Sequence, residues 1–163
     1  MPTETMNLSQ RFVVAGLAAA ALLPAAAQTS PDQIQHEAKL MLHYFGRGYA
    51  SGQLWSVPPT PPSKDGKPRA VKLASGELSV IGSSQNQTLT ASRLKLTRGD
   101  LNELGLTLGA TPVNALTRQF GKPDTQDAHR LVYRGVSEIC EDHFTFIVDK
   151  GLLQAIEWDW CHD

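Results

Sequence analysis

Several signatures that would announce an enzyme are missing from this 163-residue chain: it has no Gly-x-Ser-x-Gly elbow, phosphate loop, dinucleotide fingerprint or His-Glu-x-x-His pair. Charge of one sign is also missing, since 15 basic and 16 acidic side chains leave a net charge of -1. Nothing electrostatic then points to nucleic acid or anionic lipid as a partner. No apolar run reaches the roughly 20 residues a membrane helix needs. The longest, Phe12 to Leu23, is 12 residues and stops at Pro24. Cysteine is scarce and late: Cys140 and Cys161 are the only two, so no cysteine near the N-terminus is available for lipid attachment.

What is there begins with a leader. Of the first 27 residues 17 are hydrophobic, and Arg11, the short apolar run, Pro24 and the small residues Ala25-Ala26-Ala27 follow in that order. A positive flank, a short apolar stretch and an Ala-x-Ala end read as a secretory signal over residues 1–27, cleaved before Gln28. Residues 28–163 are then expected to form one small domain, periplasmic or secreted, with no stable membrane anchor. In that oxidising compartment the default state of Cys140 and Cys161 is a disulfide, which closes a loop of about 20 residues and contributes roughly 3 kcal/mol.

The mature chain reads as α+β. Ser30 can cap and Pro31 suits a first helical position, and Ile34, Ala38, Met41 and Phe45 draw an apolar stripe on a helix expected to end near Gly46. Residues 56–68, with Pro58-Pro59-Thr60-Pro61-Pro62, read as a stiff connector, beside which Trp55 is expected to pack back on the domain. Val71 and Leu73, then Leu78 and Val80, alternate as a short hairpin, and 89–96 as another strand. Thr111-Pro112 should start, and Gly121 end, a short helix carrying Val113, Leu116 and Phe120 on one face. Three strands should close the domain as an antiparallel meander packed on the helices: one with Leu131 and Tyr133, one with Phe144, Phe146 and Val148, and one with Leu152, Ile156, Trp158 and Trp160. Pairing Val148 with Leu152 across a three-residue turn would set Phe144 opposite Ile156 and send Glu157 and Asp159 to water.

The stretch Leu108-Gly-Ala-Thr-Pro-Val-Asn-Ala-Leu-Thr-Arg-Gln-Phe-Gly-Lys-Pro123, followed by Leu131-Val-Tyr133, Phe144 to Val148, an Asp-Lys-Gly turn and Leu152 to Trp158, resembles the BamE/SmpA/OmlA-like module over residues 104–160. That resemblance implies a non-catalytic envelope protein. It implies either a binding or scaffold module of the kind that supports outer-membrane protein assembly, or a secreted inhibitor of a hydrolase such as β-lactamase. The chain departs from the lipoprotein members in lacking their lipobox cysteine and in adding Cys140 and Cys161.

Candidate chemistry is thin. His36 and His43 stand seven apart on the first helix, about 10.5 Å along its axis, too far to share a zinc, and read as solvated surface histidines. His143, His162 and Asp159 are weak metal candidates near the cysteines, although bridged cysteines supply no thiolate. A small periplasmic enzyme or metal protein is therefore the competing reading, and no cofactor is expected. The balanced charge hides a polarised chain: residues 28–134 carry 13 basic and 8 acidic side chains, and residues 135–163 carry one basic and seven acidic. A basic region with Lys64, Lys67, Arg69 and Lys72 and an acidic one with Glu141, Asp142, Glu157 and Asp159 form a candidate surface for an envelope protein partner, or else neutralise each other within the fold.

Overall fold

The computed structural model describes residues 30–56, 66–83 and 88–161. The expected leader at 1–27, most of the expected connector, the side chain of Trp55, Lys64 and His162 lie outside the described residues. In chain order the elements are α1 (Pro31–Ser56), β1 (Arg69–Leu73), β2 (Gly76–Ser83), β3 (Thr88–Leu96), β4 (Asp100–Leu101), a single 3-10 turn (Asn102–Leu104), β5 (Leu106–Thr107), α2 (Val113–Phe120), β6 (Thr125–Gln126), β7 (Arg130–Arg134), β8 (His143–Asp149) and β9 (Leu152–Asp159). Seven strands form one antiparallel sheet in the order β1-β2-β3-β9-β8-β7-β6, and β4 and β5 pair separately. The fold is α+β, and the expected C-terminal meander is one half of a larger sheet.

Pairing of β3 with β9 joins the two halves, setting Leu94 against Trp158 and Leu96 against Ile156. Leu94, Leu96, Ile156, Trp158, Phe144, Phe146, Leu131, Tyr133, Leu78 and Val80 are buried, forming the core beneath α1 and α2. Aromatic rings dominate its centre: Phe146 meets Phe120 at 5.2 Å and Tyr133 at 5.5 Å between centroids. Buried aromatics of this kind each cost about 3–5 kcal/mol when truncated to alanine. The Tyr133 hydroxyl, taken into the core, donates to the carbonyl of Gly121 at 3.1 Å, and burial holds it neutral well past its usual range.

Helix α1 starts as expected, with the Ser30 hydroxyl accepting the N–H of Gln33 at 3.2 Å. It does not stop at Gly46. The helix runs to Ser56, and Gly46 lies inside it because the Trp158 indole presses there: a Cβ on Gly46 would sit 2.3 Å from Trp158 Nε1. The same Nε1–H donates to the carbonyl of Leu42 at 2.8 Å, so Trp158 is both packed against α1 and hydrogen-bonded to it. The buried stripe is rotated accordingly. Ala38, Leu42, His43, Gly46 and Ala50 face inward, whereas Ile34 and Met41, expected to dock, remain 40% and 43% exposed.

Two further expectations are corrected at the C-terminal hairpin. Its turn has two residues, Lys150 and Gly151, both at positive φ (50° and 77°), which places Asp149 opposite Leu152. Such a turn matches the twist of the flanking strands, so it wins over the three-residue alternative. A bulge at Ile147/Val148 then leaves Gln154 unpaired and sets Phe144 opposite Trp158 and Phe146 opposite Ile156. Those four residues share the buried face, as the alternation required, but Leu153 rather than Leu152 is fully covered near the turn. Glu157 is only 7% exposed, because on the outer face of β9 it stands opposite Lys95 of β3 and Thr145 of β8.

At α2 the signals are sound in outcome and different in detail. Pro112 is the cap residue itself, and the Thr111 hydroxyl instead accepts the N–H of Thr107 at 2.8 Å. Gly121 ends the helix at φ 77°, a value that favours glycine.

Candidate interaction surfaces

Four places gather polar or exposed apolar side chains. The first is the seam where α1 meets the loop between β7 and β8. His43 Nδ1 lies 2.7 Å from Asp142 Oδ2 and both residues are buried, although the two atoms do not form an in-line hydrogen bond. His43 is therefore not the solvated histidine its helical position suggested: the inward face of α1 is wide enough to include it. Burial, then the nearby Arg47 charge, push its pKa below the ordinary value, and the Asp142 carboxylate opposes that shift without reversing it. Asp142 is held from three sides. Its carbonyl accepts the N–H of Gly135 at 2.6 Å, its Oδ1 accepts the N–H of Ser137 at 3.3 Å, and its carboxylate packs where a Cβ on Gly135 would fall. The Ser137 hydroxyl accepts the N–H groups of Ile139 and Cys140 at 3.4 and 3.3 Å. It is engaged in the turn, and among the described residues no hydroxyl is hydrogen-bonded to a histidine. What this arrangement does is close the 135–142 loop on itself and latch it to α1.

Cys140 and Cys161 are joined in a disulfide, their Cα atoms 5.8 Å apart. Cys140 lies in the bends before β8 rather than in the strand, so the alternation of faces along the hairpin does not constrain its direction. Ile139, beside it, is 82% exposed.

The second place is the outer face of the sheet, where the opposite charges of the two chain halves meet. Lys95 Nζ lies 2.7 Å from Glu157 Oε1, and Arg93 Nε lies 2.8 Å from Asp159 Oδ1. Here Lys95 and Arg93 neutralise Glu157 and Asp159 within the fold, whereas among the described residues no such pair joins Lys72 to the acidic residues. Glu141 is paired across the loop with Arg134 at 3.6 Å, exposed on both sides. Of the acidic residues proposed for a partner surface, Asp142 and Glu157 lie inside, and Asp159 and Glu141 are engaged by arginines. Lys67 and Arg69 are exposed and have interactions of their own. Lys72, with Lys95, Arg98 and Glu77, lines an open cleft of about 530 Å³ at the β1/β2 turn. His143 stands opposite Asp159 across β8 and β9. Among the described residues no three His, Cys, Asp or Glu side chains converge as a metal site would require.

The third place is a polar cleft beside the first helical turns, lined by Asp32, His36, Lys39 and Ser137. Lys39 is tied to Asp124 at 3.0 Å.

The fourth is apolar. Between α1 and the 3-10 turn lies a shallow cleft of about 380 Å³ lined by Phe45, Gly48, Tyr49, Leu101, Asp100 and Glu103. It continues the line of Ile34 and Met41 along the outer side of α1, and Tyr44, 68% exposed, flanks that line. Neither Asp100 nor Glu103 has an ion-pair partner among the described residues. Composition could not have found this surface, because the stripe that forms it reads in the sequence as the docking face of the helix.

No helix among the described residues is long and apolar enough to cross a membrane. No protein-family model, no curated protein and no solved structure matches the chain.

Proposed function

We propose that this protein is an exported, non-catalytic binding module of the cell envelope that works by protein-protein contact. One observation carries the reading: Ile34, Met41, Tyr44 and the Phe45/Gly48/Leu101 cleft form an apolar strip on a helix whose other face is buried against the rest of the domain. Exposed strips of this kind mark interfaces more often than isolated surface hydrophobics do. Two carboxylates at the rim, Asp100 and Glu103, with no ion-pair partner among the described residues, favour a partner segment that presents apolar knobs together with lysine or arginine. The leader and the disulfide support an oxidising compartment. The resemblance to the BamE-like module supports the same class of role.

The test uses the full chain in cells that make it. A photo-crosslinking residue at Met41 should capture one dominant envelope protein, and that protein, once purified, should bind Met41→Asp at least tenfold more weakly than the natural sequence. Retention of the uncut leader, or equal binding of the Met41→Asp variant together with a turnover activity of the isolated protein, would sink the reading.

A further inference from the structure

We infer that the loop at 135–142 is a preorganised contact site that presents Ile139 as an anchor to a partner protein carrying an apolar pocket bordered by basic side chains. This rests on the binding-module reading and assigns it a second surface.

Two observations stand together here. Ile139 is the most exposed large hydrophobic residue among those described, at 82%, and a lone exposed isoleucine on a mobile loop would carry no argument. This one is fixed. The disulfide holds Cys140 immediately after it; the Ser137 hydroxyl accepts the N–H groups of Ile139 and Cys140 from the other side. At the loop's base the Asp142 carbonyl accepts from Gly135, its carboxylate accepts from Ser137, and His43 of α1 faces that carboxylate at 2.7 Å. Gly135 allows the closure, because any side chain there would occupy the space of the Asp142 carboxylate. A covalent bond, four hydrogen bonds and a buried contact between His43 and the Asp142 carboxylate therefore all act on eight residues that carry the exposed Ile139.

Rigidity at an exposed apolar residue has a specific use. A loop already held in its bound shape loses little entropy when a partner closes on it, and a single well-placed apolar side chain then acts as a hot spot. The flanks define the chemistry of the pocket's rim. Glu138 is exposed with no ion-pair partner among the described residues, and Glu141 is exposed with only the peripheral contact to Arg134. An apolar tip between two carboxylates fits an apolar pocket edged by lysine or arginine, and it is repelled by an acidic or lipid-phosphate surface.

The experiment places the photo-crosslinking residue at 139 and, separately, at 41 in the full chain, in cells that make the protein. The protein captured from position 139 is purified, and its affinity for four forms is measured: the natural sequence, Ile139→Asp, Glu138→Lys and the Cys140→Ser/Cys161→Ser pair. Expected is a loss of about tenfold or more for Ile139→Asp, the order that burial of one aliphatic side chain supplies. Glu138→Lys should weaken binding and reduce its salt dependence, and the cysteine pair should weaken it with Ile139 still present. Ile139→Asp should leave the unfolding temperature unchanged, which separates anchoring from folding. Binding of Ile139→Asp within twofold of the natural sequence overturns the proposal, as does the absence of any captured protein at 139. Capture at 41 alone overturns it while leaving the binding-module reading standing, and failure at both positions removes both.

Discussion

Gly46→Ala should destabilise the protein even though alanine is the better helix former. The added Cβ would lie 2.3 Å from Trp158 Nε1, 2.4 Å from Cδ1 and 2.7 Å from Cε2, so the indole has to move by about 1 Å to restore ordinary contact. It has nowhere to go without repacking: Trp158 is fully buried, with Phe45 at 6.2 Å and Phe144 at 6.3 Å between ring centroids. Moving it also draws Nε1 away from the Leu42 carbonyl, leaving a buried donor unpaired. Overpacking costs about 1–3 kcal/mol, the unpaired donor about 1–3 kcal/mol, and helix propensity returns about 1 kcal/mol. The net loss is then about 1–5 kcal/mol. Gly48, two residues on, supplies the control, because a Cβ there meets nothing within 4 Å. Gly48→Ala should gain up to about 1 kcal/mol from propensity alone. Urea unfolding of the protein, followed by tryptophan fluorescence, reads both variants on one scale. If Gly46→Ala proves as stable as Gly48→Ala, the close packing of Trp158 on α1 is wrong.

Stability should fall as the pH drops below about 6.5, because His43 in the folded state resists a proton that the unfolded chain accepts, and the loss should continue through the lowered folded pKa. Urea midpoints at pH 7.5 and pH 5 check this: His43→Gln should show a flatter dependence over that range, and an identical slope refutes it. Replacing Cys140 and Cys161 together by serine should cost about 3 kcal/mol, given a sequence separation of 21, and should lower the unfolding temperature without abolishing the sheet. Lys95→Met should destabilise by leaving the buried Glu157 with only Arg93 at 3.8 Å, and Glu157→Gln added to it should recover part of the loss. A double-mutant cycle across that pair should give a coupling of about 0.5–3 kcal/mol, and zero coupling would mean that the contact does not form.

Local chemistry was legible and distant pairing was not. The start of α1 at Ser30, the body and stop of α2 and the alternation in β7 and β8 follow from neighbours in sequence, and the bond between the two cysteines, 21 positions apart, follows from there being only two of them. Gly46 shows the limit of that approach. Glycine inside a helical pattern reads as a stop when only its conformational freedom is weighed, whereas here it is the one residue that allows an indole from 112 positions away to rest on the helix. His43 and Glu157 fail in the same way. Each looks solvated by its place in the local pattern, and each is buried because its partner, Asp142 or Lys95, arrives from a distant strand or loop. The two-residue turn at Lys150-Gly151 was within reach of local rules, since a residue followed by glycine between alternating strands signals a tight hairpin. Its adjoining bulge was not, because nothing in the pattern of Leu152 to Trp158 marks Gln154 as the residue to skip.

These long-range contacts converge on one helix and decide which side of it is free. Gln35 donates to the carbonyl of Lys122, Lys39 pairs with Asp124, the Leu42 carbonyl accepts from Trp158, His43 meets Asp142, and the Tyr49 hydroxyl meets Ser75. They tie α1 along its length to the end of α2, the β7–β8 loop, strand β9 and the β1–β2 turn. Helix propensity alone would not hold a 26-residue segment with glycine at 46, 48 and 52, so its order comes from that inner face. A helix fixed on one side cannot roll to hide its other side. Ile34, Met41 and the Phe45/Gly48 cleft therefore stay on the side of α1 that the described residues leave uncovered. The latch at Asp142 belongs to the same strap, so a change that loosens α1 near His43 should also relax the loop that carries Ile139. The two proposed contact surfaces are thus separate in space but share one mechanical support, and His43→Gln should weaken partner binding at Ile139 more than at Met41.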